Sequence, residues 1–187
     1  MNARKIAILA LLVAVSVGTN YAMISFYNVK FMDFIVFIGG FCFGPAVGAL
    51  TGIFSWVVYG TLNPAGFEIR IWLVTMFSEA MYGVMGGLMN RIILRDEGNA
   101  LKERARSASI FFGLLGMLLT FGYDLITNAV SGYIWYQSVL IGVLVGFVPF
   151  GLAHVLSNAV FFGIGCVPAI RTIGNLIGGR KNGSAAK

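Results

Sequence analysis

Long apolar stretches separated by short polar breaks dominate this chain. Four of them, at residues 6–26, 71–89, 108–130 and 139–166, can each cross a bilayer alone, because one transmembrane helix needs about 20 apolar residues. A fifth stretch has no charged residue between Asp33 and Glu68 and is interrupted by Gly44 and Pro45. Its apolar part, residues 34–60, is long for one crossing and short for two regular ones. The flanking charges therefore have to decide the topology.

The basic residues lie in three clusters along the chain. The clusters are Arg4 and Lys5; Arg91, Arg95, Lys102, Arg104 and Arg106; and Arg171, Arg180, Lys181 and Lys187. Lys and Arg are enriched in cytoplasmic loops, so all three clusters are expected inside the cell. The chain then crosses an even number of times between the first two clusters, which requires residues 31–60 to cross twice. The sequence therefore predicts an all-α integral membrane bundle of six transmembrane helices, with irregular short second and third spans and both termini cytoplasmic.

Composition supports a multi-pass protein of the cell membrane. The chain is 58% hydrophobic and 11% charged, and its mean hydropathy is +0.87. The net charge of +6 is explained by basic residues at helix ends, so no nucleic-acid partner is expected. Cys42 and Cys166 are far apart in apolar segments, which predicts free thiols and neither a metal nor a cofactor site. We expect a membrane domain over residues 1–177 and a disordered cytoplasmic tail over 178–187.

Few ionisable residues lie within the predicted spans, and such residues are costly in a bilayer and often functional. They are Glu79, Asp124, His154 and, at a boundary, Asp33. Residue counting places Glu79 near the midplane, Asp124 in the outer half and His154 about 25 Å down the last span. Because these depths differ, the three side chains are not expected to converge, which argues against a membrane enzyme.

Each of these polar positions has a structural and a functional interpretation. Asp124, Thr127 and Asn128 share one helix face, which suits either a ligand or an interhelical hydrogen-bond cluster. His154 is expected to be a hydrogen-bonded packing residue and not a ligand. Glu79 is either functional, paired with Arg70, or hydrogen-bonded to a tyrosine.

The predicted outer loops and helix ends are rich in polar and aromatic residues. These are Asn20, Tyr21, Tyr27, Asn28, Asn63, Glu68, Trp72, Tyr133, Trp135, Tyr136 and Gln137. Most of the aromatic ones fit the ordinary interfacial belt of membrane proteins. Tyr133, Trp135 and Tyr136, expected on a short outer loop, could also stack on a ring-shaped ligand.

Small residues form a stripe on the first predicted helix. Ala3, Ala7, Ala10 and Ala14 recur at intervals of four, three and four residues and so share one face. The stripe is suited either to packing inside the bundle or to docking a helix of a partner protein.

Taken together, these features resemble the substrate-binding S components of energy-coupling factor (ECF) vitamin transporters. The likeness covers nearly the whole chain. It rests on size and predicted topology, on the Ala-x-x-x-Ala pairs of the first helix, on Asp33 before a short second span, and on the Gly44-Pro45 step followed by small residues. The Pro-Phe-x-x-x-His-x-x-x-Asn-Ala stretch from Pro149 to Ala159 adds to it.

The resemblance implies a non-enzymatic mechanism with protein partners. An S component binds a vitamin or related micronutrient from outside and docks through its alanine face, here Ala3, Ala7, Ala10 and Ala14, on a transmembrane T subunit powered by two ATPases. By resemblance and position, the expected substrate-binding residues are Asn20, Tyr21, Asn28, Asn63, Trp72, Glu79, Tyr123, Asp124, Thr127 and Asn128.

The substrate class is only partly defined by the sequence. The acidic groups argue against a polyanion, whereas the aromatic residues suit a ring-bearing vitamin, riboflavin-like or cobalamin-like among others. The alternatives are a self-sufficient secondary transporter or channel and, less in keeping with the expected depths, a membrane enzyme.

Overall fold

The computed structural model describes residues 1–63, 66–93 and 105–184, with side chains described as far as residue 176. This part of the chain is helical and contains no strand. The helices, in chain order, are α1 (Ala3–Ala22), α2 (Met32–Phe43), α3 (Pro45–Thr61), α4 (Ile69–Ile93), α5 (Ala105–Tyr136), α6 (Val139–Gly146) and α7 (Leu152–Ser184). A π-helical turn, Phe147–Gly151, joins α6 to α7.

Four helical segments of the described chain are long and apolar enough to cross a membrane. They are α1, α4, α5 and the continuous segment formed by α6, the π turn and α7 as far as Leu176. Helix α2 is apolar but shorter. The chain is therefore an integral membrane protein by composition and helix length.

The central uncharged run forms two helices, as its interruption predicts. Gly44 lies between α2 and α3 with a φ of 102°, a conformation that a residue with a side chain rarely adopts. Pro45 follows at the first position of α3, where its missing N–H costs no hydrogen bond.

One predicted boundary is wrong. Helix α5 continues to Tyr136, so Tyr133, Trp135 and Tyr136 lie on a helix and not on a short outer loop. The apolar pattern ends earlier than this helix, because backbone hydrogen bonding continues into less hydrophobic sequence. Helix α7 continues through Pro168 to Ser184, and the disordered tail expected over residues 178–187 stays a prediction; residues 185–187 lie outside the described part.

Helix α2 lies at the centre of the bundle. Ten of its residues, from Met32 to Phe41, are buried, so α2 has no lipid-facing side along most of its length. Phe37 and Phe41 pack on Phe112 of α5, and Phe37 also packs on Phe162 of α7. Burial on all sides explains why this helix is apolar throughout and shows no amphipathic stripe.

Three glycines bring α2, α3 and α4 into backbone contact. Gly40, Gly48 and Gly83 meet at one point, and a Cβ atom built on any of them would overlap the backbone of another. Small residues allow membrane helices to approach this closely, which increases van der Waals contact where the hydrophobic effect is weak.

The last part of the chain forms an antiparallel hairpin around Gln137 and Ser138. Gly132 of α5 contacts Gly142 of α6, and Gly116 of α5 contacts Phe162 of α7. Residues equally distant from the turn therefore lie side by side at the same depth.

Candidate functional site

A buried polar cluster connects α2, α5 and α7. The His154 Nε2 atom lies 2.6 Å from Asp33 Oδ2, and its Nδ1 atom lies 2.9 Å from Asp124 Oδ1. Asn158 donates from Nδ2 to the same Asp33 oxygen at 2.6 Å. His154 and Asp33 are fully buried and Asp124 is 4% exposed. The imidazole thus bridges two carboxyl groups that belong to different helices.

This geometry contradicts the prediction that Asp124 and His154 lie at different depths. The two side chains converge, because the hairpin register places them side by side. Residue counting along one helix does not include that α5 extends to Tyr136 or that a π turn interrupts the last span. His154 is hydrogen-bonded within the bundle, as expected, through both of its ring nitrogens.

The cluster continues through Glu79 on α4. The Trp56 indole donates to Glu79 Oε2 at 3.2 Å, and Asp33 is an electrostatic neighbour of the same carboxyl group. The expected pairing of Glu79 with Arg70 or a tyrosine is wrong, because Arg70 instead contacts Glu68 at 2.6 Å.

Glu68 also accepts the Ile71 N–H at 2.8 Å at the start of α4. Although desolvation raises the pKa of Glu68, hydrogen bonds from Arg70 and Ile71 outweigh it and hold that pKa below its ordinary value.

Lys30 brings a basic group to the cluster. It precedes α2 and directs its Nζ atom over the ring of Trp56, at 5.3 Å from the centroid, and over the ring of Tyr123, at 5.6 Å. Both distances fall within the range of cation–π attraction. Tyr123 also packs edge-on against His154.

Several buried polar atoms of this region have no hydrogen-bond partner. Polar groups inside proteins are usually paired, so unpaired ones in one place indicate a site for something polar. The atoms are Asn20 Oδ1 and Nδ2, Asp33 Oδ1, Ser55 Oγ, Glu79 Oε1, Tyr123 Oη, Asp124 Oδ2 and Asn158 Oδ1.

A cavity of about 210 Å³ lies next to the cluster, at the end of the bundle where α1 and α3 end. Trp56 belongs to both, because its ring lines the cavity while its N–H contacts Glu79. The residues around the cavity are Asn20, Met23, Ile24, Phe26, Asn28, Val29, Lys30, Trp56, Tyr59 and Asn63. The loop between α1 and α2 supplies six of these ten residues.

A second, more open cavity of about 360 Å³ lies near the same end, lined by Tyr27, Asn28, Asn128, Gly146 and Phe150. Asn28 borders both cavities, adopts a φ of 52° and donates from Nδ2 to the Phe150 carbonyl oxygen at 3.0 Å. This contact attaches the α1–α2 loop to the π turn before α7.

The structure divides the predicted site residues into three groups. Asn20, Asn28 and Asn63 line the first cavity, and Asn128 lines the second. Glu79, Tyr123 and Asp124 belong to the buried cluster.

Tyr21, Trp72 and Thr127 instead make contacts with the backbone. The Tyr21 hydroxyl lies 3.2 Å from the Leu62 carbonyl, the Trp72 indole donates to the Trp56 carbonyl at 2.9 Å, and the Thr127 hydroxyl donates to the Tyr123 carbonyl at 3.0 Å.

Sequence reasoning missed four residues of this region: Lys30, Trp56, Tyr59 and Asn158. Lys30 is the only basic residue between the first two predicted spans, so its position in the sequence could have marked it as a candidate site residue. Asn158 lies one helical turn after His154, so both had to face the same neighbour. Trp56 and Tyr59, within an apolar run, gave no such signal.

His154 is engaged on both ring nitrogens and has none left for a metal ion. Among the described residues, no three His, Cys, Asp or Glu side chains are grouped as metal ligands.

Fold and site together define the class of this protein. It is a helical membrane protein with a small polar cavity at one end of its bundle, which is the arrangement of a component that binds a small molecule. The family model "ECF transporter, substrate-specific component" matches residues 4–175, and the chain belongs to this family. Neither the curated proteins nor the solved structures give a match.

Proposed function

We propose that this protein captures a ring-bearing vitamin or related micronutrient at the cell surface and passes it to an ECF T subunit driven by two ATPases. The observation that carries the proposal is the cavity beside the buried cluster, where unpaired polar atoms meet aromatic rings. Family membership supplies the transporter role, and the cavity supplies a place for the substrate.

The charge distribution supports an outward-facing cavity. Five of the seven basic residues whose side chains are described, Arg4, Lys5, Arg91, Arg106 and Arg171, lie toward the opposite end of the bundle, whereas Lys30 and Arg70 lie at the cavity end. The preference of Lys and Arg for the cytoplasmic side assigns that end to the inside of the plasma membrane. In this orientation α2 and α3 both cross, which gives six spans with both termini in the cytoplasm.

The alanine face of α1 supports docking on a partner. Ala3, Ala7, Ala10 and Ala14 are all exposed, and Gly18 extends the same face with no atom near its missing Cβ. The stripe is therefore not used for packing within the described chain. Small residues allow close helix packing, so an exposed stripe of them suits a helix of another protein. A transmembrane helix of the T subunit fits this face.

The sequence agrees with energy supplied by partners. It contains no Gly-rich loop of the kind that cradles nucleotide phosphates, so we assign ATP hydrolysis to the ATPase subunits. Such a chain acts as a binding component and not as an enzyme.

The lining favours a substrate with a ring. Trp56 and Tyr59 meet at a centroid distance of 5.6 Å on the cavity wall, and Tyr123 lies near them across Lys30. Aromatic side chains bury flat ligands well while polar atoms orient them. A riboflavin-like ring meets this requirement, whereas a cobalamin-like molecule needs more room than the cavity of about 210 Å³ offers.

The test is to purify the protein from its own cells under mild conditions and to identify the bound small molecules and proteins by mass spectrometry. We expect one ring-bearing micronutrient in stoichiometric amount, together with a T subunit and two ATPases. A ligand without those subunits would favour a self-sufficient carrier and contradict the proposal.

A further inference from the structure

The position of Lys30 indicates a preformed site for a cation. Its Nζ atom lies within 6 Å of two aromatic centroids, those of Trp56 and Tyr123. The faces of aromatic rings carry negative electrostatic potential, and two rings around one point form a cage that attracts positive charge. The protein's own ammonium group occupies this cage.

Buried acidic groups reinforce the cage from the inner side. Asp33, Glu79 and Asp124 form one cluster with a single imidazole, that of His154. Lys30 interacts electrostatically with Asp33 and Glu79. The acidic cluster thus attracts the Lys30 ammonium toward the two rings.

Lys30 is held there by rings and long-range charge only. Among the described residues, no carboxyl group lies within ion-pair distance of its Nζ atom. Its side chain is a flexible four-carbon stem that leaves the loop between α1 and α2, and it borders the 210 Å³ cavity. The ammonium can therefore move out without breaking a direct ion pair.

The unpaired atoms nearby are mostly hydrogen-bond acceptors. Asp124 Oδ2 and Asn158 Oδ1 are buried and have no donor, and the carboxyl groups of Asp33 and Glu79 contact each other. A substrate that carries N–H groups and positive charge would satisfy such atoms, whereas an anion would be repelled by them.

We propose that the cage of Trp56 and Tyr123 is the subsite for a cationic, N–H-bearing group of the substrate, and that Lys30 occupies it until the substrate displaces it. This inference rests on the proposed function and narrows its substrate class to ring compounds with a positively charged nitrogen. Lys30 is then a competitor of the substrate and sets its affinity.

The test uses three ring probes of nearly equal size and different charge: benzamidinium, benzamide and benzoate. Their binding to the purified full-length protein is measured by calorimetry or saturation-transfer NMR. In the Lys30→Met variant, which keeps an unbranched apolar side chain, benzamidinium should bind about tenfold more tightly, because its competitor is gone. Benzamide should change little.

Arg70→Met is the matched control. It removes one positive charge from the same end of the bundle, but Arg70 is paired with Glu68 away from the cage. It should leave the affinity for benzamidinium unchanged.

The opposite outcome would overturn the proposal. If Lys30→Met weakens benzoate binding and does not improve binding of benzamidinium, Lys30 is a receptor for an anionic substrate. A failure of all three probes to bind Lys30→Met would equally contradict a preformed cation cage.

Different results would contradict the cage proposal and the importer proposal. A substrate recovered with the intact importer that has no cationic nitrogen would refute the cage proposal and leave the importer role standing. Recovery of neither substrate nor partner subunits would remove the proposed function, and the cage proposal with it.

Discussion

At the scale of single residues, His154 joins the buried cluster by contacting carboxyl groups of two helices. Sequence inspection finds Asp33, Glu79, Asp124 and His154 as unusual charges in apolar helices, but it assigns them to different depths. The structure brings them together because the α5–α7 hairpin sets a register that counting along one helix does not include. The sequence thus identified these four residues as unusual, whereas their contacts with one another could be seen only in the fold.

His154→Ala should lower the stability of the protein strongly. Asp33 and Asp124 would lose their shared partner while staying buried, and breaking a buried charge pair costs about 3–5 kcal/mol. Thermal unfolding in detergent micelles measures the loss as a lower Tm. Ser157→Ala is the control, since the Ser157 hydroxyl contacts only the His154 backbone carbonyl. Equal Tm values for both variants would contradict the bridging role.

Asn20→Ala should weaken substrate binding and leave stability nearly unchanged. The Asn20 side chain lines the cavity, is 3% exposed and has no hydrogen-bond partner, so its removal breaks no hydrogen bond within the protein. Loss of hydrogen bonds to the substrate should cost about 1 kcal/mol or more, roughly a fivefold to tenfold rise in Kd.

Binding of the recovered substrate to the Asn20 variant, measured by calorimetry, tests this expectation. Thr19→Ala serves as the neighbouring control, because the Thr19 hydroxyl contacts the backbone of its own helix. A fall in Tm without a change in Kd would show that Asn20 supports the fold and not the site.

At the scale of helices, the break between α2 and α3 was predictable and the helix ends were not. Gly44 and Pro45 mark the break through their own backbone preferences, which are local. The extension of α5 to Tyr136 and the π turn before α7 depend on packing between helices, which no local pattern reports. The exposure of the alanine face likewise became visible only when the neighbours of α1 were placed.

Gly83→Ala should destabilise the bundle by several kcal/mol, because the added methyl group would overlap the backbone of α3 at Gly48. Gly122→Ala is a matched control on α5, since nothing lies within 4 Å of the Cβ position there. That control should be neutral or stabilising by up to about 1 kcal/mol, from the higher helix propensity of Ala. Similar Tm values for the two variants would contradict the glycine contact.

Ala7→Trp and Ala14→Trp should abolish assembly with the T subunit while leaving substrate affinity intact. A bulky ring on the exposed stripe would prevent close approach of a partner helix. Copurification of the T subunit and calorimetric binding of the substrate are the two measurements.

Val15→Trp is the control for the stripe, because Val15 is exposed but points about 100° away around the helix axis. It should preserve assembly. Loss of substrate binding in the stripe variants, or equal loss of assembly in the control, would contradict docking through this face.

At the scale of the whole molecule, fold class and family followed from properties spread along the chain. Apolar run lengths and the positions of basic residues define a helical membrane protein, and the family match over residues 4–175 confirms the predicted resemblance. The candidate site could not be derived in the same way. It is assembled from α1, α2, α3, α4, α5 and α7, so Lys30 and Trp56 acquire their roles only through long-range contacts.

The measurement that tests the central claim most directly is uptake of the recovered substrate by proteoliposomes. Vesicles that contain this protein, the T subunit and both ATPases should accumulate the radiolabelled substrate when ATP is present on the cytoplasmic side of the complex. Vesicles with this protein alone should bind it without accumulation. Equal accumulation by the protein alone, without ATP, would contradict the account and identify a self-sufficient carrier.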